Sequence, residues 1–339
     1  MGRAQEVETA LAALVVRRLP GVTGVTSLRR LSGGASQETW SFDATTAGGS
    51  LPLILRRRPR SLATGPDTLA LPLETEARLI ALAAAAGVPV PEVRCVLEPA
   101  DGLDSGYLMT RLEGETIPRR ILRDAAFDAV RPRLARQCGG ILAGIHAIDR
   151  ERLPALPVSP GADQIERFRA LYDAYDQPHP VFELALRWLC ERVSEPERIA
   201  LVHGDFRNGN LMVGPDGVRG VLDWELAHLG DPMEDLGWIC VNSWRFGAID
   251  KPVGGFGERE ELFAGYREAG GGAVDPERVR FFEVLGTLKW GIMCMTMYSI
   301  FQAGADRSVE RAAIGRRASE TEIDLLHLLG GDASAVGKA

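Results

Sequence analysis

The stretch from Leu201 to Asp223 constrains this chain more than any other. Leu201-Val202 and Leu211-Met212-Val213 are apolar and read as short strands. The eight residues between them, His203-Gly204-Asp205-Phe206-Arg207-Asn208-Gly209-Asn210, are mostly polar and include two glycines, so they read as a loop displayed between strands. Asp205 and Asn210 stand five positions apart on that loop. Thirteen residues beyond Asn210, another apolar strand ends in Val221-Leu222-Asp223-Trp224-Glu225. Any fold that uses this pattern must carry one carboxylate and one amide on a loop and set a second acid at the end of a neighbouring strand.

The rest of the chain divides by character. At 339 residues it exceeds the usual size of a single hydrophobic core, so two lobes are expected. Leu11, Leu14, Val15 and Leu19 recur at helical spacing near the start. From about residue 22 to 112 the signals are mainly strands and turns: Thr39–Phe42 alternates, Gly48-Gly49-Ser50 turns, and Leu51–Leu55 resumes an apolar strand that runs into Arg56-Arg57-Arg58. Glu74 to Ala86 is a strong helix former stopped by Gly87. Further strands are expected near Val93–Leu97 and Tyr107–Thr110. Beyond Gly114 the chain is largely helical, with a proline-rich loop at 154–160. Leu285, Leu288, Ile292, Met295 and Met297 mark a buried helix near the end. The expected organisation is therefore a β-rich lobe over residues 1–112 and a larger, mostly helical lobe over 113–339.

Composition narrows the partners. Hydrophobic residues make up 45% and charged residues 25%, which is ordinary for a globular chain. A net charge of −7 without a long basic block argues against nucleic acid. No window is expected to supply the roughly 20 apolar residues that cross a bilayer. The five cysteines, Cys95, Cys138, Cys190, Cys240 and Cys294, are scattered singly, which argues against disulfides and zinc and fits small buried residues in a reduced cytoplasm.

Phosphoryl transfer asks for the roles that the 201–225 stretch supplies. One carboxylate orients an acceptor hydroxyl, and two oxygen ligands fix Mg²⁺ against phosphates. Upstream, Ser32-Gly33-Gly34-Ala35-Ser36 lies between two strands, where paired glycines let backbone N–H groups approach phosphate oxygens. The ordered set His203–Asn210, Leu222–Glu225 and Gly230–Leu236 resembles the aminoglycoside phosphotransferase and choline kinase superfamily, which shares the protein-kinase fold. That resemblance implies an α+β bilobal fold with a small antiparallel N-lobe and a helical C-lobe. It also implies ATP and Mg²⁺ as cofactors, Asp205 as catalytic base, and Asn210 and Asp223 as metal ligands. Under the same resemblance Gly33, Gly34, Ala35 and Ser36 cover the phosphates, and Arg56 stands where a kinase has a phosphate-contacting lysine. Its partner acid is Glu76, with Glu74 as the less favoured register. Met109 and Arg111 lie at the hinge that meets the adenine. His203 is expected to be structural, Asp231 and Asp235 to brace the loop, and Arg57 and Arg58 to be solvated. Gln37 replaces the family's common Asn.

The runs Asp223-Trp224-Glu225, Gly230-Asp231-Pro232 and Ser243-Trp244-Arg245-Phe246-Gly247 resemble the branch of kinase domains associated with acyl-CoA dehydrogenases, which implies a small-molecule hydroxyl acceptor such as a hydroxyacyl-CoA or hydroxy acid. The arginines at 111, 119, 120, 123, 131, 133 and 136 would suit CoA phosphates. Trp238, Trp244, Trp290 and Met293, Met295 and Met297 are candidates for an apolar acceptor pocket. Two alternatives remain open, an aminoglycoside kinase and a kinase-like module that binds nucleotide without transfer. A metal-dependent hydrolase built on His203, Asp205 and Asp223 leaves the glycine loop, Arg56 and Glu76 without roles.

Overall fold

The computed structural model describes residues 3–31, 37–59 and 70–330. Helix α1 (Arg3–Arg18) turns Leu11, Leu14 and Val15 onto one face of a five-stranded sheet. The sheet is antiparallel throughout, in the order β1 (Val22–Arg30), β2 (Glu38–Thr46), β3 (Gly49–Arg58), β5 (Ser105–Thr110) and β4 (Val93–Val96). Because strand side chains alternate, Trp40, Phe42, Leu53, Leu55 and Leu108 pack under α1 as a small core of their own. Full burial of each such side chain is worth about 1.5–3 kcal/mol.

The opposite face meets helix α2 (Leu73–Ala85), whose apolar side does not join the α1 core. Leu73, Ala77, Leu79 and Ile80 belong instead to the large core of the second lobe. That lobe contains α3 (Pro118–Arg123), α4 (Leu134–His146), α5 (Gly161–Asp173), α6 (Pro180–Arg192), α7 (Met233–Trp238), α8 (Arg259–Glu268), α9 (Pro276–Gln302), α10 (Val309–Gly315) and α11 (Ala318–Gly330). Two small antiparallel ladders stand at its upper edge. One pairs β6 (Ala200–Val202) with β9 (His228–Gly230), and the other pairs β7 (Leu211–Gly214) with β8 (Gly217–Val221). Backbone hydrogen bonds from Leu71 to Glu225 and from Val221 to Pro89 stitch the two lobes together.

Three expectations need correction. Arg57 is not solvated. Period-two alternation does send it to the side opposite Arg56, but α1 covers that side, and Arg57 is buried against Glu38 at 3.1 Å. Cys190 is exposed on α6, whereas Cys138, Cys240 and Cys294 are buried as expected. Helix α9 does have an 18-residue window apolar enough to pass for a membrane span, with mean hydropathy 1.3, yet 56% of that window is buried among the neighbouring helices. Its composition is that of the central core helix, where Leu285, Leu288, Ile292 and Met295 are buried while Met297 is only half-buried.

Candidate active site

The loop between β6 and β7 is held from below by a buried carboxylate. Asp235 on α7 accepts the backbone N–H groups of His203 (2.8 Å) and Gly204 (3.0 Å), and its Oδ2 also meets His146 Nε2 at 3.1 Å. Burial alone would push this carboxyl up. The hydrogen bond and charge of His146, with help from His203, outweigh burial and hold it below the usual range. The turn needs a glycine at 204, where φ is +78° and a Cβ would lie 2.4 Å from the Leu226 carbonyl oxygen. His203 is fully buried between Phe206 and Trp224, and burial lowers its pKa, so it is a neutral ring. Its Nδ1 accepts the Asp205 backbone N–H at 3.2 Å. These contacts give His203 and Asp235 the structural roles expected of them. Asp231 differs: its carboxylate caps Met233 N–H and pairs with Arg278, so it ties α7 to α9 and does not touch the loop.

Asp205 leaves this braced turn with both oxygens engaged. Arg207 Nε and Trp238 Nε1 each donate to Oδ1 at 2.9 Å, and Asn210 Nδ2 donates to Oδ2 at 2.6 Å. The amide donated to Asp205 leaves Asn210 its Oδ1 as a ligand atom. Asn210 is also joined to the second motif, since Leu222 N–H donates to its carbonyl at 2.9 Å. Asp223 follows directly with φ +66°, a left-handed conformation that a non-glycine residue seldom adopts and that marks functional turns.

Across the lobes, Arg56 at the end of β3 reaches three carboxylates. Its Nε lies 3.2 Å from Glu76 Oε2, and its Nη2 lies 2.5 Å from Asp223 Oδ1 and 3.7 Å from Glu225 Oε2. Glu76 is the correct helix register, fully buried, with Tyr107 Oη and Gln37 Nε2 also donating to it at 3.3 and 3.2 Å. Burial pushes the Glu76 carboxyl up to about 7, against the pull of Arg56. Glu225 is pushed up as well, by burial and then by the charge of Asp223. Three acids around one guanidinium leave surplus negative charge, and the donors are hard oxygens. Among the described residues no cluster of three His, Cys, Asp or Glu side chains forms a protein-only metal cage. One carboxylate and one amide oxygen, completed by water and phosphate, is the way proteins hold Mg²⁺, so Asn210 and Asp223 fit that ion.

The expected phosphate loop, Gly33, Gly34, Ala35 and Ser36, lies outside the described residues. The described residues on either side of it are paired, Leu31 N–H donating to the Thr39 carbonyl at 2.8 Å. At the hinge, Arg111 donates its backbone N–H to Pro52 and its guanidinium to Asp43 (2.8 Å) and Ser41 (2.9 Å), so it braces the sheet; Met109 packs against the large core. Sequence reasoning noted Gln37 only as a departure from the family. It is in fact a linker between Glu76 and Glu225, which it meets at 2.9 Å. The tryptophans of the expected pocket do cluster, with centroids 5.2 Å apart for Trp238–Trp244 and 4.9 Å for Trp244–Trp290. The methionines do not join them, because a two-residue spacing on a helix sends side chains to different faces.

A small antiparallel sheet over a helical lobe, with a braced Asp-Asn loop beneath an Arg–Glu pair, is the architecture of kinase-like phosphotransferases. The profile described as the phosphotransferase enzyme family matches residues 27–282, and the chain belongs to that family. It is 30% identical over 56% of its length to acyl-CoA dehydrogenase family member 10 of Mus musculus, a stretch that is 18% of the mouse protein. Family member 11 of Gallus gallus is 26% identical over 93% of this chain and 43% of its own length. The chain thus spans less than half of these relatives. In fold it resembles a candidate aminoglycoside phosphotransferase from Ralstonia eutropha (TM-score 0.73, 22% identity, 94% of this chain and 97% of that one). The spectinomycin phosphotransferase solved with ADP and spectinomycin superposes with a TM-score of 0.64 at 13% identity, over 94% and 98% of the two chains.

Proposed function

We propose that this chain transfers the terminal phosphate of ATP to a hydroxyl group of a small acidic molecule, a hydroxyacyl-CoA or a related hydroxy acid. The observation that carries the reading is the convergence of Asp205, Asn210 and Asp223 beneath the Arg56–Glu76 pair. Asp205 takes the acceptor's proton as the acceptor oxygen bonds to the γ-phosphorus and ADP departs with the electrons of the broken bond. Asn210 and Asp223 would hold Mg²⁺, which when bound neutralises phosphate charge. Arg56 offers a fork to the phosphates, and Glu76 keeps that fork in place. At the hinge, the Leu112 N–H has no partner among the described residues and is the donor open to an adenine edge.

The acceptor class rests on the cleft beside the catalytic loop. A cavity of about 840 Å³ lies between α3 and α11, lined by Arg119, Arg123, Ile117, Ile249 and Ile323 among others. Most of the arginine-dense stretch is spent structurally: Arg120 pairs with Glu115, Arg131 with Asp128, and Arg136 with Glu261 and Glu268. Arg119 and Arg123 have no such partner among the described residues, while the cavity's acids are engaged, Glu320 by Arg317 and Asp324 by Asn242. Unpaired arginines beside exposed isoleucines suit an acid with an apolar chain and oppose a polycation. The acyl-CoA dehydrogenase relatives point the same way. The test is incubation with Mg-ATP and, in parallel, hydroxyacyl-CoAs, amino alcohols and aminoglycosides, read by mass spectrometry. Phosphate on the acyl-CoA or hydroxy-acid class supports the reading. Phosphate on aminoglycosides alone would replace it with the antibiotic-kinase reading.

A further inference from the structure

A carboxylate offers about four lone-pair positions, two on each oxygen. On Asp205, Arg207 Nε and Trp238 Nε1 use both positions of Oδ1, and Asn210 Nδ2 uses one of Oδ2. One position remains, on Oδ2, for the acceptor's hydroxyl. Arg207 and Asn210 sit on the same loop as Asp205, so both move with it. Trp238 is the donor from outside, on α7.

The fold is cut to seat that indole. Trp238 is 4% exposed, Trp244 packs against it, and the Lys289 ammonium lies 4.7 Å from its ring centre. Gly286 on α9 makes the room: a Cβ there would stand 2.8 Å from Trp238 Cε3. The neighbouring rings supply a control. Trp244 Nε1 and Trp290 Nε1 are buried in the same cluster with no acceptor among the described residues. The cluster therefore aims one of its three indole N–H groups at a partner, and that partner is the catalytic carboxylate.

We infer that Trp238 is a positioning residue for Asp205: its N–H locks Oδ1 and turns the open side of Oδ2 toward the acceptor. The inference rests on the kinase reading above. It gives the last residue of α7 a role beyond packing, since its N–H as well as its ring meets a partner.

Two measurements test it. In the first, Trp238 is replaced by β-(3-benzothienyl)alanine, which keeps the bicyclic ring and puts sulfur where the N–H was, with Trp238→Phe in parallel. Loss of the N–H at 238 should lower kcat about ten-fold and leave the KM for ATP within about two-fold. An unaltered kcat with the sulfur analogue would overturn the inference. In the second, indole ¹⁵N–¹H spectra are compared between wild type and Asp205→Ala. The Trp238 resonance should move upfield and further than those of Trp244 and Trp290. A Trp238 resonance that stays put would overturn the contact itself, whether or not turnover is seen. Absence of transfer by the wild type with that shift intact would instead overturn the kinase reading and the catalytic consequence with it.

Discussion

Asp205 and Asp223 are both expected to act on the same phosphate, yet the molecule holds them in opposite ways. Asp205 is fixed within one lobe by three donors and stands on a turn whose backbone is bonded to buried Asp235. Asp223 has a left-handed backbone, its side chain is 30% exposed, and its charge partner is Arg56 from the other lobe. Asp205 is therefore set before any ligand arrives, whereas Asp223 is held by a guanidinium that, in the proposed mechanism, Mg²⁺ and phosphates would displace. On the proposed mechanism, rigidity is placed where a hydroxyl would be oriented and exchangeability where charge would be traded.

The comparison can be broken most sharply at Asp223. Asp223→Ala should lower phosphate transfer on the order of 10³-fold, since in the proposed mechanism it removes a ligand of the ion that would neutralise the phosphates. The Trp238 indole resonance should remain at its wild-type position; a shift there would show that the two acids are not independently held. Arg56→Met should follow in size. It leaves Glu76 buried without its cation, and because a carboxyl whose pKa is about 7 can take up a proton instead, the cost should be about 2–3 kcal/mol in stability measured by denaturant unfolding; a change below about 1 kcal/mol would mean that Gln37 and Tyr107 suffice. Gly204→Ala strains the braced turn at φ +78° and should cost about 1–3 kcal/mol. Equal stability would show that the Asp235 clamp tolerates movement.

Last comes a pH effect at Glu76, of a size similar to that at Gly204. Its folded pKa of about 7 lies above the ordinary 4.5, so the native state takes up the proton first. The stability this contributes is fully present below pH 4.5 and is lost as pH rises through 7. Glu76→Gln should flatten that fall by about 1–3 kcal/mol, less than the isolated shift implies because Arg56 is close. Parallel unfolding curves for the two proteins between pH 5 and 8 would contradict it.

Much of this site is legible in sequence because its key contacts are local. Asp205 and Asn210 are bonded across five positions of one loop, and Asn210 is joined to Leu222 by the adjoining ladder, so spacing alone implies their meeting. Glu76 follows from helix register, and the antiparallel sheet from alternation and turns. What sequence did not yield depends on which surface happens to cover which. Arg57 looked solvated because nothing in β3 says that α1 lies over that face. The sequence offers Trp238 only as a candidate pocket residue, because its contact with Asp205 spans 33 residues and is set by the packing of α7 on α9. Asp231 is expected to brace the loop only through the resemblance of Gly230–Leu236 to the family's motif, yet a short helix turns it and Asp235 toward different partners.

The account depends most on Asp205 serving a hydroxyl acceptor in an ATP-driven transfer. Side-by-side incubation of wild type and Asp205→Ala with Mg-ATP and the acceptor panel, followed by mass spectrometry, addresses it directly. The expected result is one added phosphate with the wild type, a rate at least about 10²-fold lower with Asp205→Ala, and unchanged ATP affinity in both. Undiminished transfer by Asp205→Ala, or ATP bound by the wild type with phosphate passed to no acceptor, would contradict it.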